Sequence, residues 1–234
     1  MYQHHLQHIS SFSSGSQFWG AFLGAFFAFV FGLIAYQITK RWERFVQHKN
    51  ALVKLERLLN HHYNALAILE QLAADTSLIL DQGKMTSNRF FDLKIPADVD
   101  LELASIDIIN KFFSYQSYID RHNINVSTFN TTLTRFEDLL IAGQPLHLAN
   151  LEFTKKMLDG FKKELPSLAE TAKSFLVLVR VHIAKIKMRD SFLYGVIRRQ
   201  WDFDISKDEV VQETKKLEQE INQIQEDFKQ GKIL

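Results

Sequence analysis

The sequence predicts an all-α protein: one N-terminal transmembrane helix followed by a cytoplasmic helical bundle with coiled-coil character. Three observations carry this reading. Residues 18–39 form an uncharged, mostly apolar run. After Arg44, apolar side chains recur at helical spacing, and 9 Gly and 3 Pro in 234 residues leave long stretches without a breaker. Residues 1–39 contain no Asp, Glu, Lys or Arg, so all 28 Lys+Arg and 27 Asp+Glu lie beyond them. Near-neutral balance of charge argues against a general nucleic-acid binder. The absence of Cys excludes Cys-ligated zinc, iron-sulfur clusters and thiol nucleophiles.

The first element is Phe18 to Thr39. At about 1.5 Å per residue it spans roughly 33 Å, enough for a hydrocarbon core of about 30 Å. Trp19 and Tyr36 lie near its ends, where aromatic rings favour headgroup interfaces. No basic region precedes it and no Ala-x-Ala site follows, so a membrane anchor is expected rather than a cleaved signal. Lys40-Arg41-Trp42-Glu43-Arg44 follows at once, which by the positive-inside rule places residues 40–234 in the cytoplasm and residues 1–17 outside as a short tail. The expected location is the inner (plasma) membrane. The sequons Asn125-Val126-Ser127 and Asn130-Thr131-Thr132 are then chance matches.

Within this helix, residues segregate by size. Gly20, Ala21, Gly24, Ala25, Ala28, Gly32 and Ala35 share an arc of about 140° at about 100° per residue, opposite the bulky Phe, Leu, Ile and Val side chains. Lipid does not separate Gly from Phe by hydrophobicity, whereas helix packing does, because small residues let backbones approach. A homo-oligomer with membrane lipid around it is the expectation. Phe31 interrupts the small face and is a candidate gate, a hydrophobic constriction that closes by dewetting.

The next helix continues from the anchor. Phe45, Leu52, Leu59, Leu66 and Ala73 alternate with His48, Leu55, His62 and Leu69 at steps of three and four, which fits a parallel coiled coil between copies or one amphipathic helix of a monomeric bundle. In the first case His48 and His62 sit in the seam, where protonation would repel copies. Residues 74–98 read as irregular around Phe90-Phe91. Asp98 or Asp100 is then expected to cap a helix that carries Leu103, Ile106, Phe112 and Ile119 and runs to Gly143 and Pro145. A helix over 147–164 follows, and Pro166 is expected to restart the chain into a segment reaching Trp201. Within that segment, 175–183 is β-branched, yet the helical period runs through it. Ser206-Lys207-Asp208-Glu209 is a capping box that opens the last helix, with Gly231 as its stop.

The sequence holds no nucleotide cradle, nucleophile elbow, His-Glu-x-x-His or Cys/His set, so no catalytic, cofactor-binding or metal-ligating residues are assigned, no cofactor is implied, and an enzyme is not expected. Asp98-Val99-Asp100-Leu101-Glu102 lacks the Gly and distal Glu of a calcium loop, and His4 and His8 sit in the tail. Arg180, Lys185, Lys187, Arg189, Arg198 and Arg199 form a basic stretch that could meet an anionic ligand, though a solvated face is the plainer account.

An anchor, a basic stop, then Leu55-Glu56-Arg57-Leu58-Leu59-Asn60-His61-His62-Tyr63-Asn64-Ala65-Leu66 and further helices make a layout that resembles single-pass helical proteins of bacterial stress and phage-defence loci. The resemblance implies a membrane effector, a regulated pore or membrane-perturbing oligomer active in antiviral defence, and it transfers no site residue. The leading expectation is therefore a homo-oligomeric effector gated by its cytoplasmic helices. The alternative is a membrane-tethered scaffold or receptor adaptor that recruits a cytoplasmic regulatory partner or anionic ligand.

Overall fold

A computed structural model describes residues 3–96, 99, 101, 104–143, 148–188 and 205–229. Among the described residues the regular elements are α1 (Gln3–Asp81), α2 (Ile106–Ile141), α3 (Leu148–Met188) and α4 (Lys207–Lys229). Contacts divide the described chain into two units, one up to Gln47 and one from His48 onward.

In the first unit, the Phe18–Thr39 stretch of α1 exposes apolar side chains on every side. Phe29 and Phe31, about 160° apart on the helical wheel, are both 65% exposed, and Phe18, Trp19, Phe22, Phe26, Phe27, Leu33 and Ile34 are exposed as well. An amphipathic helix of a water-soluble fold would hide one of these faces. This segment is long and apolar enough to cross a membrane, the one such helix among the described residues. The helix begins at Gln3, so the described backbone of the expected tail is helical and continuous with the apolar segment. No break occurs at Lys40 either.

In the second unit, α1 changes character. His48, Leu52, Leu55, Leu59, His62, Leu66, Leu69, Ala73, Thr76 and Leu80 are all buried at strictly alternating steps of four and three. On α2 the buried set is Ile108, Phe112, Tyr115, Ile119, His122, Val126, Phe129, Leu133 and Phe136. On α3 the repeat runs through Thr154, Leu158, Phe161, Leu165, Leu168, Ala172, Phe175, Val179, His182 and Ile186. Each fully buried Leu or Phe contributes about 1.5–3 kcal/mol. The face of α1 that could have served a seam between copies is covered by the same chain, so the parallel coiled coil through that face gives way to the amphipathic-helix alternative.

Side-chain pairs fix the directions. Glu56, Ser77 and Asp81 of α1 meet Arg180, Lys162 and Lys155 of α3 in reverse order, which makes α1 and α3 antiparallel. Lys111, Arg121 and Thr132 of α2 meet Ser174, Glu164 and Met157 of α3, again antiparallel. Consequently α2 runs parallel to α1, and the connection between them must travel back along the helices before α2 begins. It does so as an extended strap over residues 88–96. Parallel packing is the physical reason for so long a connection.

Four expectations need correction. Residues 74–81 are helical rather than irregular, because Thr76 and Leu80 continue the buried repeat; the helix stops at Gly83, whose φ of 73° suits glycine and whose N–H reaches the Leu80 carbonyl at 3.0 Å. The cap of α2 is Ser105, whose hydroxyl accepts from the Ile108 N–H, while Asp98 and Asp100 lie outside the described residues. Pro166 sits inside α3 without ending it. Both Pro166 and Lys162, whose carbonyl loses its N–H partner, lie on the exposed side of α3, while buried Leu165 and Leu168 hold the two halves in line. Finally, α3 begins at Leu148 and absorbs the expected break at 164.

Other expectations hold. Residues 175–183 are buried helix. The capping box at α4 closes in both directions: the Ser206 N–H donates to Glu209 Oε2 at 2.8 Å and the Glu209 N–H donates to Ser206 Oγ at 3.3 Å. Gly143, at φ 72°, ends α2; Pro145 and Gly231 lie outside the described residues.

Candidate functional site

Three constellations follow from this architecture. The first is the small face of the apolar segment. A Cβ added at Gly20, Gly24 or Gly32 would meet nothing within 4 Å. Ala21, Ala25, Ala28 and Ala35 are exposed with them. The small face therefore packs against no described part of the chain. Phe31 stands exposed beside it, its ring stacked on Phe27 at 6.4 Å.

The second constellation fastens the strap, and it is where buried polar groups collect. Asn130 and Asn123 of α2 each bond both main-chain groups of one strap residue. The Phe90 N–H donates to Asn130 Oδ1 at 3.1 Å and Asn130 Nδ2 donates to the Phe90 carbonyl at 2.7 Å. Leu93 and Asn123 repeat the pair at 2.8 Å in each direction. From α1, His62 Nε2 lies 3.1 Å from the Lys94 carbonyl and Nδ1 lies 2.8 Å from the Tyr115 hydroxyl. A carbonyl only accepts, so Nε2 carries the proton and Nδ1 accepts from Tyr115. Burial pushes His62 down to about 4, with the Lys94 carbonyl opposing and His61 and His122 adding to the fall. Burial also lowers His122, opposed by Glu164, the Phe91 main chain and Asp92, and raises Tyr115. Both histidines under the strap are therefore neutral near pH 7. Asn88 bonds Thr76 at 3.2 Å, and Arg89 pairs with Glu137.

Alongside the strap lies an open cavity of about 810 Å³ between Phe90, Phe91, Asp92 and Lys94 on one side and Ser127, Asn130, Thr131, Thr134, Arg135 and Asp138 on the other. Thr131 and Thr134 are already satisfied by carbonyls four residues back. Phe90 is buried, whereas Phe91 is exposed beside the cavity.

The third constellation is the basic stretch. Arg180 Nε lies 3.2 Å from Glu56 of α1 and Nη1 lies 2.8 Å from Glu220 of α4. Lys185 lies 2.8 Å from Glu209. These two cations turn inward to carboxylates, and Lys173 pairs with Glu218 in the same way. Glu218 in turn raises Lys173, while Lys185 and the Ser206 N–H lower Glu209. Lys187 is exposed. Arg189, Arg198 and Arg199 lie outside the described residues; of the other three, Arg180 and Lys185 are paired with carboxylates and Lys187 is exposed. Because 173 meets 218 and 185 meets 209, α4 runs antiparallel to α3, held by charge around the single buried Leu217 among its described apolar side chains.

His48 and His62 are both buried within one chain. Among the described residues no group of three or more His, Cys, Asp or Glu could hold a metal ion. Sequence reading missed Tyr115, Asn123 and Asn130. Their signal was present: Asn123 and Asn130 stand one heptad apart at the edge of the buried stripe that carries Ile119, Val126 and Leu133, a position where carboxamides need a partner.

No family model matches this chain, and no match is found among curated proteins or solved structures.

Proposed function

We propose that this chain is a single-pass inner-membrane protein that self-associates through Gly20, Ala21, Gly24, Ala25, Ala28, Gly32 and Ala35 and acts as a membrane-perturbing or pore-type effector restrained by its cytoplasmic helices. The observation that carries the reading is the open small face: three glycines with no described neighbour in their own chain, on an otherwise bulky apolar helix. Gly in a helix interior costs about 1 kcal/mol relative to Ala in water. Close approach of a second helix accounts for that choice. The basic stop Lys40-Arg41 supports an orientation with residues 40–234 in the cytoplasm. Phe31, beside the small face, is the side chain best placed to form a hydrophobic constriction in an assembly.

The test is membrane potential in intact cells expressing wild type beside Gly24→Leu at matched levels. Depolarisation by wild type that Gly24→Leu abolishes supports the effector reading. Equal depolarisation by both chains removes the small face from the mechanism.

The open cavity beside exposed Phe91 favours a second reading, the tethered scaffold. Under that reading, an unrelated apolar anchor in place of residues 18–39 preserves activity. An effector loses activity on the same exchange.

A further inference from the structure

Residues 88–94 lie across α2 as an extended segment whose main chain joins no helix or sheet ladder. Its two anchor residues, Phe90 and Leu93, surrender both main-chain groups to one carboxamide each. A carboxamide carries one acceptor and a donor in nearly the geometry of a peptide group, so Asn123 and Asn130 read main chain and leave side-chain identity to the pockets. Those pockets are specific. Phe90 stands edge-on to Phe129 at 5.1 Å and to Phe161 at 4.7 Å, and Leu93 is 2% exposed.

The spacing matches by construction. Seven helical residues rise about 10.5 Å and three extended residues span about 10 Å, so an Asn-x6-Asn helix face meets every third residue of an antiparallel extended chain. One heptad further along α2 in each direction stand Gln116 and Glu137. The former corresponds to Pro96, which has no N–H to give; the latter takes Arg89 instead. The α2–α3 surface, with Thr76 and His62 of α1 at its two ends, is thus a groove for an extended aromatic-x-x-aliphatic segment. The chain fills it with its own.

Nothing in the helices depends on which copy supplies that segment. α1 is closed by Gly83 and α2 by the Ser105 cap, both outside residues 88–94, so the strap can leave without unwinding either helix. Its contacts would re-form identically in a second copy, which makes exchange close to neutral in energy. Chains held together in a membrane present strap and groove to each other at effective concentrations of about millimolar.

We infer that residues 88–94 of one copy seat in the α2–α3 groove of a second copy, so that Asn123 and Asn130 form an interface between neighbouring chains. The inference rests on the self-association proposed above. Exchange would link the parts outside the membrane to the assembly of the anchors inside it.

The test uses full-length chains co-reconstituted in lipid vesicles, one light and carrying a photoreactive benzoylphenylalanine in place of Phe91, the other heavy-isotope labelled and unmodified. Phe91 is exposed and borders the same cavity as Ser127, Thr131 and Thr134, so crosslinks to residues 127–135 report which copy holds the strap. Exchange predicts light-to-heavy crosslinks in amounts comparable to light-to-light ones, and a loss of at least about tenfold in the former when the heavy chain carries Asn123→Ala with Asn130→Ala. A second light chain, photoreactive at Phe31, reports association of the anchors. Light-to-heavy crosslinks at Phe31 with only light-to-light ones at the strap overturn exchange alone. Only light-to-light crosslinks at both sites overturn exchange and self-association together.

Discussion

α1 is one continuous helix with two kinds of surface. Along Phe18–Thr39 large side chains are exposed on opposite faces, the Gly positions are open and no apolar period survives. From His48 to Leu80 the same helix buries a residue at every third or fourth step without a miss. The contrast separates two ways in which a helix can be hydrophobic. Uniform apolarity calls for an apolar medium on every side, whereas periodic apolarity specifies partner helices on one face. The small-residue arc is a third pattern laid over the first, and it encodes shape where hydrophobicity is uniform.

The widest gap between the regions is expected from core truncation. Leu59→Ala or Phe175→Ala, each at a fully buried position, should cost about 3–5 kcal/mol in denaturant unfolding of the chain in detergent. Phe29→Ala, in the exposed apolar segment, should leave that transition unmoved. Equal losses would erase the distinction.

Acid comes next. His62 is held down to about 4 by burial, against 6.5 unfolded. A group with a depressed pKa favours its neutral form in the fold, so its stabilisation is complete above pH 6.5 and is lost as pH falls toward 4. At 1.36 kcal/mol per unit the loss is up to about 3 kcal/mol, with His122 acting in the same direction. His62→Gln should flatten the stability profile over that window. The apolar segment, lacking any titratable group between Phe18 and Ala35, should contribute nothing.

A smaller effect separates the strap from the helices it crosses. Asn130→Ala strips the Phe90 N–H and carbonyl of their partner, at a cost of about 1–3 kcal/mol. Faster amide exchange at residues 88–94, without change in α1, is the expected readout. Asn125→Ala, on the exposed side of α2, should leave the strap as it was.

The least effect concerns α4. Its docking pairs, Arg180–Glu220, Lys173–Glu218 and Lys185–Glu209, have at least one partner in solvent. Each contributes at most about 1 kcal/mol and weakens with salt. Raising salt should speed amide exchange in residues 207–220 before it touches α2. Simultaneous loosening of both would join α4 to the central core.

Much of this molecule was legible in one dimension. An uncharged run needs only composition, a heptad needs only spacing, and the Ser206 to Glu209 box needs only four adjacent residues, since each is a local pattern with a local physical cause. What covers a heptad is not local. The face around Leu52, Leu55 and Leu59 suits a copy of itself as well as α3, and only the tertiary arrangement, with α1 parallel to α2 and antiparallel to α3, gives it to its own chain. That same arrangement forces the strap, and so gives Asn123 and Asn130 a purpose that spacing alone left open. Pro166 breaks a helix in isolation but not where the lost bond lies on the exposed side and the next turns are pinned in a core. Arg180 reads as an open cation until Glu56, Glu213 and Glu220 arrive from two other helices. Sequence by itself determined which residues must leave water and at what period, because those costs are paid residue by residue. The tertiary structure decided whom they meet, because burial and pairing belong to surfaces that exist only once helices distant in sequence have packed.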